Sequence, residues 1–454
     1  MAIQFAVLEP VAQCLLPKEL NIDLRRMGEG IIGQACALLA EGERLVCNDE
    51  ESDPADRFLS FLRIAVESEN PTVDDETEAQ FEKSQAWGSP APRVEAAVAA
   101  LDVCLSRPDL YARLGNDIDR LLGDQHPATR LQAATHLIRI WDIDRESFWA
   151  RLDARFRNET NFGVLSHLAD LLRRVLHADH DRTESQLLVA LQRFDGTVNH
   201  ARIVELTADI VAILAITYSS EAAVALQSRW IGDPVSYVKP LRKIIATLRG
   251  AIALGLRPGE PDDSSVRHRA QAVLHQIVLS ANGVLTNYDP RVEVPTEQVD
   301  AFRACMDLLD SAGSELYFAT GRAGGEIAGL SNAACSAFLA ETAETIERIG
   351  DRASPHTIYY LMQLIEILAP YDAAKAFDLT VHAIRSGGVE GGYHFESLGA
   401  DSMVRMVGTF LADNKEIFEN ETRRKALVDC LEIFMEAGWT AARRLLYRLP
   451  ELIQ

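Results

Sequence analysis

Apolar side chains recur every three or four residues through most of this chain, which is the spacing of one face of an α-helix. A clear example lists Leu131, Ala134, Leu137, Ile138 and Trp141 on one face. Pro127 suits the first turn of this helix, and Asp124 with the polar residues after it can cap the free amides. The pattern predicts a helix over 127–141 with one buried face.

The same spacing predicts helices along the rest of the chain. In the first part they are expected at 93–106, 109–122, 127–141, 145–157, 162–177 and 183–194. In the second part they are expected at 200–217, 221–230, 235–256, 265–286, 297–311, 332–350, 356–369, 372–386, 400–412, 422–436 and 439–449. Short polar turns separate many of them, which favours antiparallel neighbours. No segment has the alternating pattern of a run of strands.

A short stretch of sequence recurs 37 positions further along the chain. Ser89–Ala97 (SPAPRVEAA) and His126–Ala134 (HPATRLQAA) share the proline, an alanine, the arginine and the final alanine pair. An aliphatic residue follows the arginine in both copies. Self-similarity at this period is typical of stacked helical arrays, in which each helix pair buries its apolar face against its neighbours.

The second copy resembles a HEAT repeat, the helix-pair unit of α-solenoids related to armadillo repeats. The positions that match are Asp124, Pro127, Arg130, Leu131, Ala133, Ala134 and Leu137. In the first copy, Trp87 stands where Asp124 would be expected. The resemblance is best over residues 89–141. It implies an all-α, HEAT/armadillo-like solenoid of antiparallel helix pairs, with Asp and Arg side chains bonding between neighbouring units.

We expect three regions along such an array. Residues 1–88 form an irregular helical segment with an acidic loop and a possible bend at Gly28, Gly30 and Gly33. Residues 89–257 hold the HEAT-like repeats, and residues 258–454 hold longer helical repeats. The last helix would act as a polar-faced cap, with Arg443, Arg444 and Arg448 toward its C-terminus, after a left-handed turn at Gly438.

Composition and charge narrow the class of partner. The chain has 454 residues, which is too long for one compact core, although a solenoid escapes that limit. It is 48% hydrophobic and carries a formal net charge of −22. A field of that sign repels phosphate backbones, so a nucleic-acid partner is disfavoured unless basic residues share one face. The acidic stretch from Asp49 to Glu82 is expected to serve solubility, or to bind cations or a basic partner.

Four basic clusters could supply such a face, or could instead bond between units. They are Arg173–Arg174, Arg242–Lys243, Arg267–Arg269 and Arg423–Lys425. The aromatic residues Trp141, Phe148 and Trp149 have the spacing of helix-packing residues, so we interpret them as core.

The seven cysteines are scattered and form no CxxC, which is typical of buried thiols in a reducing compartment. The N-terminus has no signal-peptide pattern, and the most apolar runs, 206–218 and 244–256, are too short to span a membrane. These features predict a soluble, cytoplasmic protein.

No pattern of residues predicts catalysis, a cofactor or a metal. The glycine-rich loops 320–325 and 386–392 lack the lysine of a phosphate-binding loop. His177 and His180 lie at a helix end, and no acidic partner accompanies His268 and His275 on their helix. GxSxG and HExxH are absent. We therefore assign no catalytic, cofactor-binding or metal residues.

The leading hypothesis is a non-enzymatic scaffold or sensor that binds a protein partner, or another domain of a larger assembly, on a solenoid surface. A HEAT-like nucleic-acid-binding or base-processing protein is the alternative. Residues 437–439 and 443–449 also resemble the end of the helical-repeat region of large bacterial multidomain NTPases of the defence type. That resemblance implies the regulatory part of an ATPase system. Neither the partner nor the oligomeric state follows from the residues.

Overall fold

A computed structural model describes residues 2–15, 20–41, 54–260, 263–289, 292, 294–321 and 329–453. Over these residues 21 α-helices are joined by turns and short 3₁₀ or π segments, and no β-strand occurs. The expectation of an all-α chain is confirmed. The helices divide between two compact units, Met1–Ile203 and Val204–Gln454, which we call unit 1 and unit 2. The expected divisions after residues 88 and 257 stay predictions.

Unit 1 contains ten complete helices within its described residues. They are α1 (Ala2–Cys14), α2 (Ile22–Ala40), α3 (Ala55–Val66), α4 (Thr77–Ser84), α5 (Pro92–Ser106), α6 (Tyr111–Leu122), α7 (Pro127–His136), α8 (Arg145–Asn158), α9 (Phe162–Val175) and α10 (His180–Phe194). Helices α2, α5, α7 and α9 stack in that order as one layer. Helices α3, α6, α8 and α10 pack on the first layer or on one another as a second.

Helix α11 (His200–Thr217) crosses the division between the units, and ten helices follow it. They are α12 (Glu221–Ile231), α13 (Val238–Leu248), α14 (Ser264–Leu285), α15 (Val299–Ala319), α16 (Asn332–Gly350), α17 (Pro355–Leu368), α18 (Ala373–Ala383), α19 (Ser397–Asp413), α20 (Glu421–Glu436) and α21 (Thr440–Ile453). Odd-numbered helices from α13 stack on odd, and even on even. Within each unit this is the stacked, antiparallel helix-pair arrangement of an α-solenoid, as the sequence predicted.

The two copies of the sequence repeat occupy equivalent places in the core. In the first copy Val94, Ala96 and Ala97 are buried on α5. In the second copy Leu131, Ala133 and Ala134 are buried on α7, which packs directly on α5. Small alanine side chains let the two helix axes approach, so the repeated alanine pair explains why these helices stack closely.

The glycines of α2 mark a close helix contact and not a bend, so that expectation was wrong. Helix α2 runs unbroken from Ile22 to Ala40 and packs along α5. A Cβ atom added to Gly30 would lie 2.1 Å from Cβ of Pro90. A Cβ atom on Gly33 would lie 3.1 Å from the carbonyl oxygen of Pro92. Glycine is required here because no side chain fits between the helices.

Several expected helix bounds were also wrong. The helix over 127–141 ends at His136 and continues as a 3₁₀ segment, Leu137–Ile140. The helix over 235–256 covers only Val238–Leu248, because a turn closed by Asp233 precedes it. The helix at 297–311 instead runs from Val299 to Ala319. Helix α10 starts at His180, since Asp179 caps the backbone N–H of Arg182 and moves the start ahead of residue 183.

The C-terminal turn at Gly438 is confirmed. Gly438 has a φ of 97° and follows α20. The N–H groups of Gly438 and Trp439 donate to the carbonyls of Met435 and Phe434, which is the Schellman pattern of a glycine-ended helix. The next helix, α21, starts at Thr440 and runs on to Ile453. The expected position of Arg443 and Arg444 near the C-terminal end was therefore wrong.

Candidate partner-binding groove

Arginine side chains bond between neighbouring helix pairs of unit 1, as the HEAT resemblance implied. Nε of Arg93 lies 2.8 Å from Oδ2 of Asp124, and both side chains are buried. Arg130 makes the next contact with two bonds of 2.9 Å to the carboxylate of Glu159. We call these two pairs the arginine ladder. The sequence indicated Arg93, Arg130 and Asp124, but it gave no signal for Glu159.

The arginine ladder also affects the pKa of the buried carboxyl group of Glu159. Burial raises the pKa of Glu159, but the hydrogen bond and charge of Arg130 outweigh burial and leave that pKa lowered. Glu78, from the acidic stretch, bonds to Arg130 at 2.8 Å, and Glu82 bonds to Arg202 at 3.1 Å. These two carboxylates of the stretch therefore find basic partners inside unit 1; residues 49–53 lie outside the described residues.

Unit 2 has a polar groove on its odd-numbered layer. Helix α13 has two distinct faces. Its buried face consists of Pro240, Leu241, Ile244, Ile245 and Leu248. The groove-facing side presents four basic residues: Lys239, Arg242 and Lys243 on α13, and Arg249 just beyond its end. The sequence singled out Arg242 and Lys243, but it gave no reason to join them to Lys239 and Arg249.

Three further helices complete the groove, which encloses about 620 Å³. Its remaining walls consist of Glu205 of α11, Ala246 of α13, Asp310, Ser311, Ser314, Glu315 and Phe318 of α15, and His356 and Tyr360 of α17. Consecutive helices of one layer supply these residues because they stack side by side, so residues far apart in sequence share a surface. We call this surface the α13–α15–α17 groove.

Two of the groove cations are held firmly. Nζ of Lys243 lies 3.0 Å from Oδ1 of Asp209 and donates to the carbonyl of Leu206 at 2.7 Å. The guanidinium of Arg249 donates two hydrogen bonds to Glu315, one of them 2.8 Å long. The Glu315 bond raises the pKa of Arg249, which is already far above neutral. These two side chains are committed to contacts within unit 2.

The other two cations are held loosely. Lys239 lies 3.8 Å from Glu205, and its side chain is 73% exposed. Arg242 lies 3.9 Å from Asp307, and its side chain is 55% exposed. Both distances exceed that of a hydrogen bond. Exposed ion pairs of this kind contribute little stability, so both cations can exchange their partners at low cost.

Aromatic rings form one end of the groove. Phe318 and Tyr360 have ring centroids 5.9 Å apart, and His356 lies edge-on to Tyr360 at 5.0 Å. The guanidinium of Arg249 lies over the Phe318 ring at 5.0 Å from its centroid. Phe318 is 36% exposed, so part of its ring faces the groove. Beside it, burial and the neighbouring tyrosines raise the pKa of Tyr317.

The polar groups of the groove include a histidine beside a carboxylate. Nδ1 of His356 lies 2.7 Å from Oδ1 of Asp310, which resembles a base held by a carboxylate. No Ser, Thr or Cys nucleophile is hydrogen-bonded to that imidazole within the described residues. Among those residues, no cluster of three or more His, Cys, Asp or Glu side chains could hold a metal ion.

The histidines noted in the sequence have separate surroundings. His177 is exposed after α9, and His180 begins α10 with Nε2 3.4 Å from Asp181. The expectation that no acidic partner accompanies His268 and His275 was wrong. Helix α16 supplies Glu341, 3.3 Å from His268, and Glu344, 3.8 Å from His275.

The remaining basic clusters mainly bond within their own unit. Arg173 pairs with Asp170, Arg267 with Glu341, and Arg423 with Asp378. Arg269 donates to the carbonyl of Ile216. Arg267, Arg269 and Arg423 thus bond to other helices, whereas Arg173 and Asp170 lie on the same helix, α9.

The aromatic residues near α8 form a cluster of edge-on rings. Phe148 and Trp149 are buried, and the ring of Trp141 lies 5.1 Å and 6.0 Å from theirs. Their interpretation as packing residues agrees with this arrangement.

One of the two glycine-rich loops, 386–392, lies wholly within the described residues. Residues 322–325 of the first loop lie outside the described residues. In the second loop, a Cβ atom on Gly387 would lie 2.4 Å from the backbone nitrogen of Ala353. Gly387 therefore allows a close backbone contact within the π segment Ile384–Gly388.

Five of the cysteines, Cys36, Cys104, Cys305, Cys335 and Cys430, are buried, and none is in a disulfide. Burial raises the pKa of Cys36, Cys104 and Cys430 to about 12, and that of Cys305 to about 11. These thiols stay protonated and unreactive at neutral pH. Cys14 is exposed, and Cys47 lies outside the described residues. None of the described helices combines the length and apolar character needed to cross a membrane.

Comparison with known proteins gives solved structures only. No family model matches the chain, and no curated protein matches it. Kap121p is 13% identical, with 97% of this chain and 60% of that chain covered and a TM-score of 0.24. Kap121p bound to the extreme C-terminus of the protein phosphatase Cdc14p is 13% identical, with 98% of this chain and 53% of that chain covered and a TM-score of 0.28. Importin beta is 11% identical, with 98% of this chain and 66% of that chain covered and a TM-score of 0.22. The chain thus spans about half to two thirds of these proteins, and similarity at this level carries no argument about function.

Proposed function

We propose that this chain is a non-enzymatic α-solenoid scaffold that binds a protein partner in the α13–α15–α17 groove. The observation that carries the proposal is the groove itself. It combines two loosely held cations, Lys239 and Arg242, with a partly exposed aromatic end at Phe318. Amphipathic aromatic residues and arginines are the side chains most enriched where proteins bind one another.

The stacked layer supports binding in a second way. The backbone under the groove is helical on every side, and Leu241, Ile244 and Leu248 anchor α13 from below. A surface held in this way changes little when a partner arrives, so little free energy is lost in ordering it.

Capture from the native host with the tagged chain tests the proposal. Phe318→Ala combined with Tyr360→Ala removes the aromatic end of the groove. Tyr447→Ala, on an exposed side chain of α21 outside the groove, is the matched control. Mass spectrometry should find a protein retained by the native chain and the control but lost from the groove variant. If all three chains retain the same proteins, the groove is not the binding site.

A further inference from the structure

We infer that the partner segment in the α13–α15–α17 groove is acidic and extended, with an aromatic residue about three positions from its carboxylates. This inference rests on the proposed function, and it adds the chemistry of the segment. It follows from the cations of the groove that lack hydrogen bonds, the aromatic rings at its end, the distance between the two, and the net charge of the chain.

Most charged groups of the groove are already hydrogen-bonded within unit 2. Asp310 accepts hydrogen bonds from His356 and Thr357, and Glu315 accepts two from Arg249. Lys243 is likewise bonded to its own unit. Within the described residues that leaves two cations without a hydrogen bond, Lys239 and Arg242, each with one exposed carboxylate nearby, Glu205 or Asp307.

An acidic segment can give both cations the hydrogen bonds that they lack. Its carboxylates can replace Glu205 and Asp307, which lie 3.8 and 3.9 Å from the two cations, with contacts at hydrogen-bond distance. Arg242 can hold a carboxylate through two parallel N–H groups. A basic segment would meet Lys239 and Arg242 with like charge and would have to displace them from Glu205 and Asp307.

The aromatic end of the groove can accept an aromatic side chain of the segment. Phe318 exposes part of its ring, and Arg249 already lies over one side of it. With Tyr360 beside it, this end offers an apolar shelf with polar edges. An aromatic side chain packs well on such a surface because rings prefer offset or edge-on contact.

The distance along the groove sets the spacing between the acidic and aromatic residues of the segment. Arg242 and Arg249 are seven residues apart at the C-terminal part of α13, which corresponds to about 10 Å along a helix at about 1.5 Å per residue. An extended segment covers about 3.3 Å per residue, so about three residues separate its acidic and aromatic positions. The whole stretch from Lys239 to Arg249 accommodates about five extended residues by the same measure.

The charge of the whole chain favours binding of such a segment in the groove over binding elsewhere. The chain carries a net charge of −22, so most of its surface repels acidic peptides. Exposed cations next to an aromatic end therefore discriminate this groove from most of that surface.

The inference can be tested by display selection with a library of random 12-residue peptides on the immobilised full chain. Binding of the selected peptides is then measured for four chains: the native chain, Lys239→Glu with Arg242→Glu, Phe318→Ala, and a control. The control, Arg424→Glu with Lys425→Glu, makes the same charge change at two exposed residues of α20. Circular dichroism confirms that each variant keeps its helices.

We expect Asp or Glu about three positions from Phe, Tyr or Trp in the selected peptides. Their affinity should fall at least about tenfold in the groove charge reversal and in Phe318→Ala, and change less than about twofold in the control. Binding should also weaken as salt rises, because the contacts are partly exposed.

Two other outcomes overturn different claims. Peptides without acidic residues that lose affinity in Phe318→Ala but not in the charge reversal would overturn the inference and leave the proposed function standing. If no selected peptide depends on Lys239, Arg242 or Phe318, both the inference and the proposed function fail.

Discussion

The arginine ladder of unit 1 and the α13–α15–α17 groove of unit 2 use similar charged residues in opposite ways. Arg130 and Glu159 are 8% and 1% exposed and are joined by two hydrogen bonds. Arg242 and Asp307 are 55% and 59% exposed and lie 3.9 Å apart. Arg242 on α13 and Asp307 on α15 join two helices of one layer, whereas Arg130 on α7 bonds to Glu159 in the turn between α8 and α9.

Burial decides the role of each pair. Removing one member of a buried pair leaves the other charged and without a partner, which is strongly destabilising. Removing one member of an exposed pair costs little, because water solvates the residue that remains. The ladder therefore holds helices together, whereas the groove leaves its cations available to a partner.

The largest expected effect comes from breaking the ladder. Arg130→Ala should lower the free energy of unfolding by about 3 kcal/mol, because buried Glu159 loses its two hydrogen bonds to Arg130 and keeps Arg155 as its charged partner. Urea unfolding followed by tryptophan fluorescence measures the change. Arg113→Ala, which breaks an exposed pair with Asp56, is the control and should change it by less than about 1 kcal/mol. Equal losses for the two variants would show that burial is not the cause.

The close contact of α2 with α5 gives the next largest effect. Gly30→Ala should lower the free energy of unfolding by about 1–3 kcal/mol, because the new Cβ would lie 2.1 Å from Pro90. Gly283→Ala on α14 meets nothing within 4 Å and should stabilise by about 0.5–1 kcal/mol. Thermal unfolding compares the two, and a Gly30→Ala chain as stable as the native one would contradict this packing.

The dependence of stability on pH sharpens the comparison further. The folded-state pKa of Glu159 is lowered, so its ionised form stabilises the fold above the unfolded pKa of about 4.3. That contribution is lost as pH falls through the folded pKa. Glu159→Gln cannot ionise, so its free energy of unfolding should fall less steeply below about pH 4.3. Urea unfolding from pH 7 to pH 3 tests this, and parallel curves would count against it.

The smallest expected effect belongs to the groove. Arg242→Ala should change the free energy of unfolding by no more than about 0.5 kcal/mol, since its ion pair with Asp307 is exposed and long. The same urea titration measures it. A loss as large as that of Arg130→Ala would mean that Arg242 is structural and not free to bind a partner.

The sequence predicted the helices and their stacking well, because apolar spacing and the repeat at Ser89 and His126 report local structure directly. It predicted Arg93, Arg130 and Asp124 through their matching positions in the repeat. It missed Glu159, and it interpreted Gly30 as a bend. Both errors arise because partners 29 and 60 residues away decide what those side chains do.

The groove was beyond the sequence for the same reason. Helices α11, α13, α15 and α17 supply its walls from residues between Glu205 and Tyr360. The Arg242–Lys243 cluster was visible, but one of its members is bonded to Leu206 and Asp209 and the other is not. Spacing along one helix carries no information on such contacts between helices.

Double-mutant cycles on Arg130–Glu159 and on Arg242–Asp307 test the contrast most directly. Each cycle measures, by urea unfolding, the part of the stability that depends on both residues at once. We predict a coupling of about 1–3 kcal/mol for the buried pair and below about 0.5 kcal/mol for the groove pair. Equal couplings, or a larger one for Arg242–Asp307, would contradict the division between a ladder that stabilises and a groove that binds.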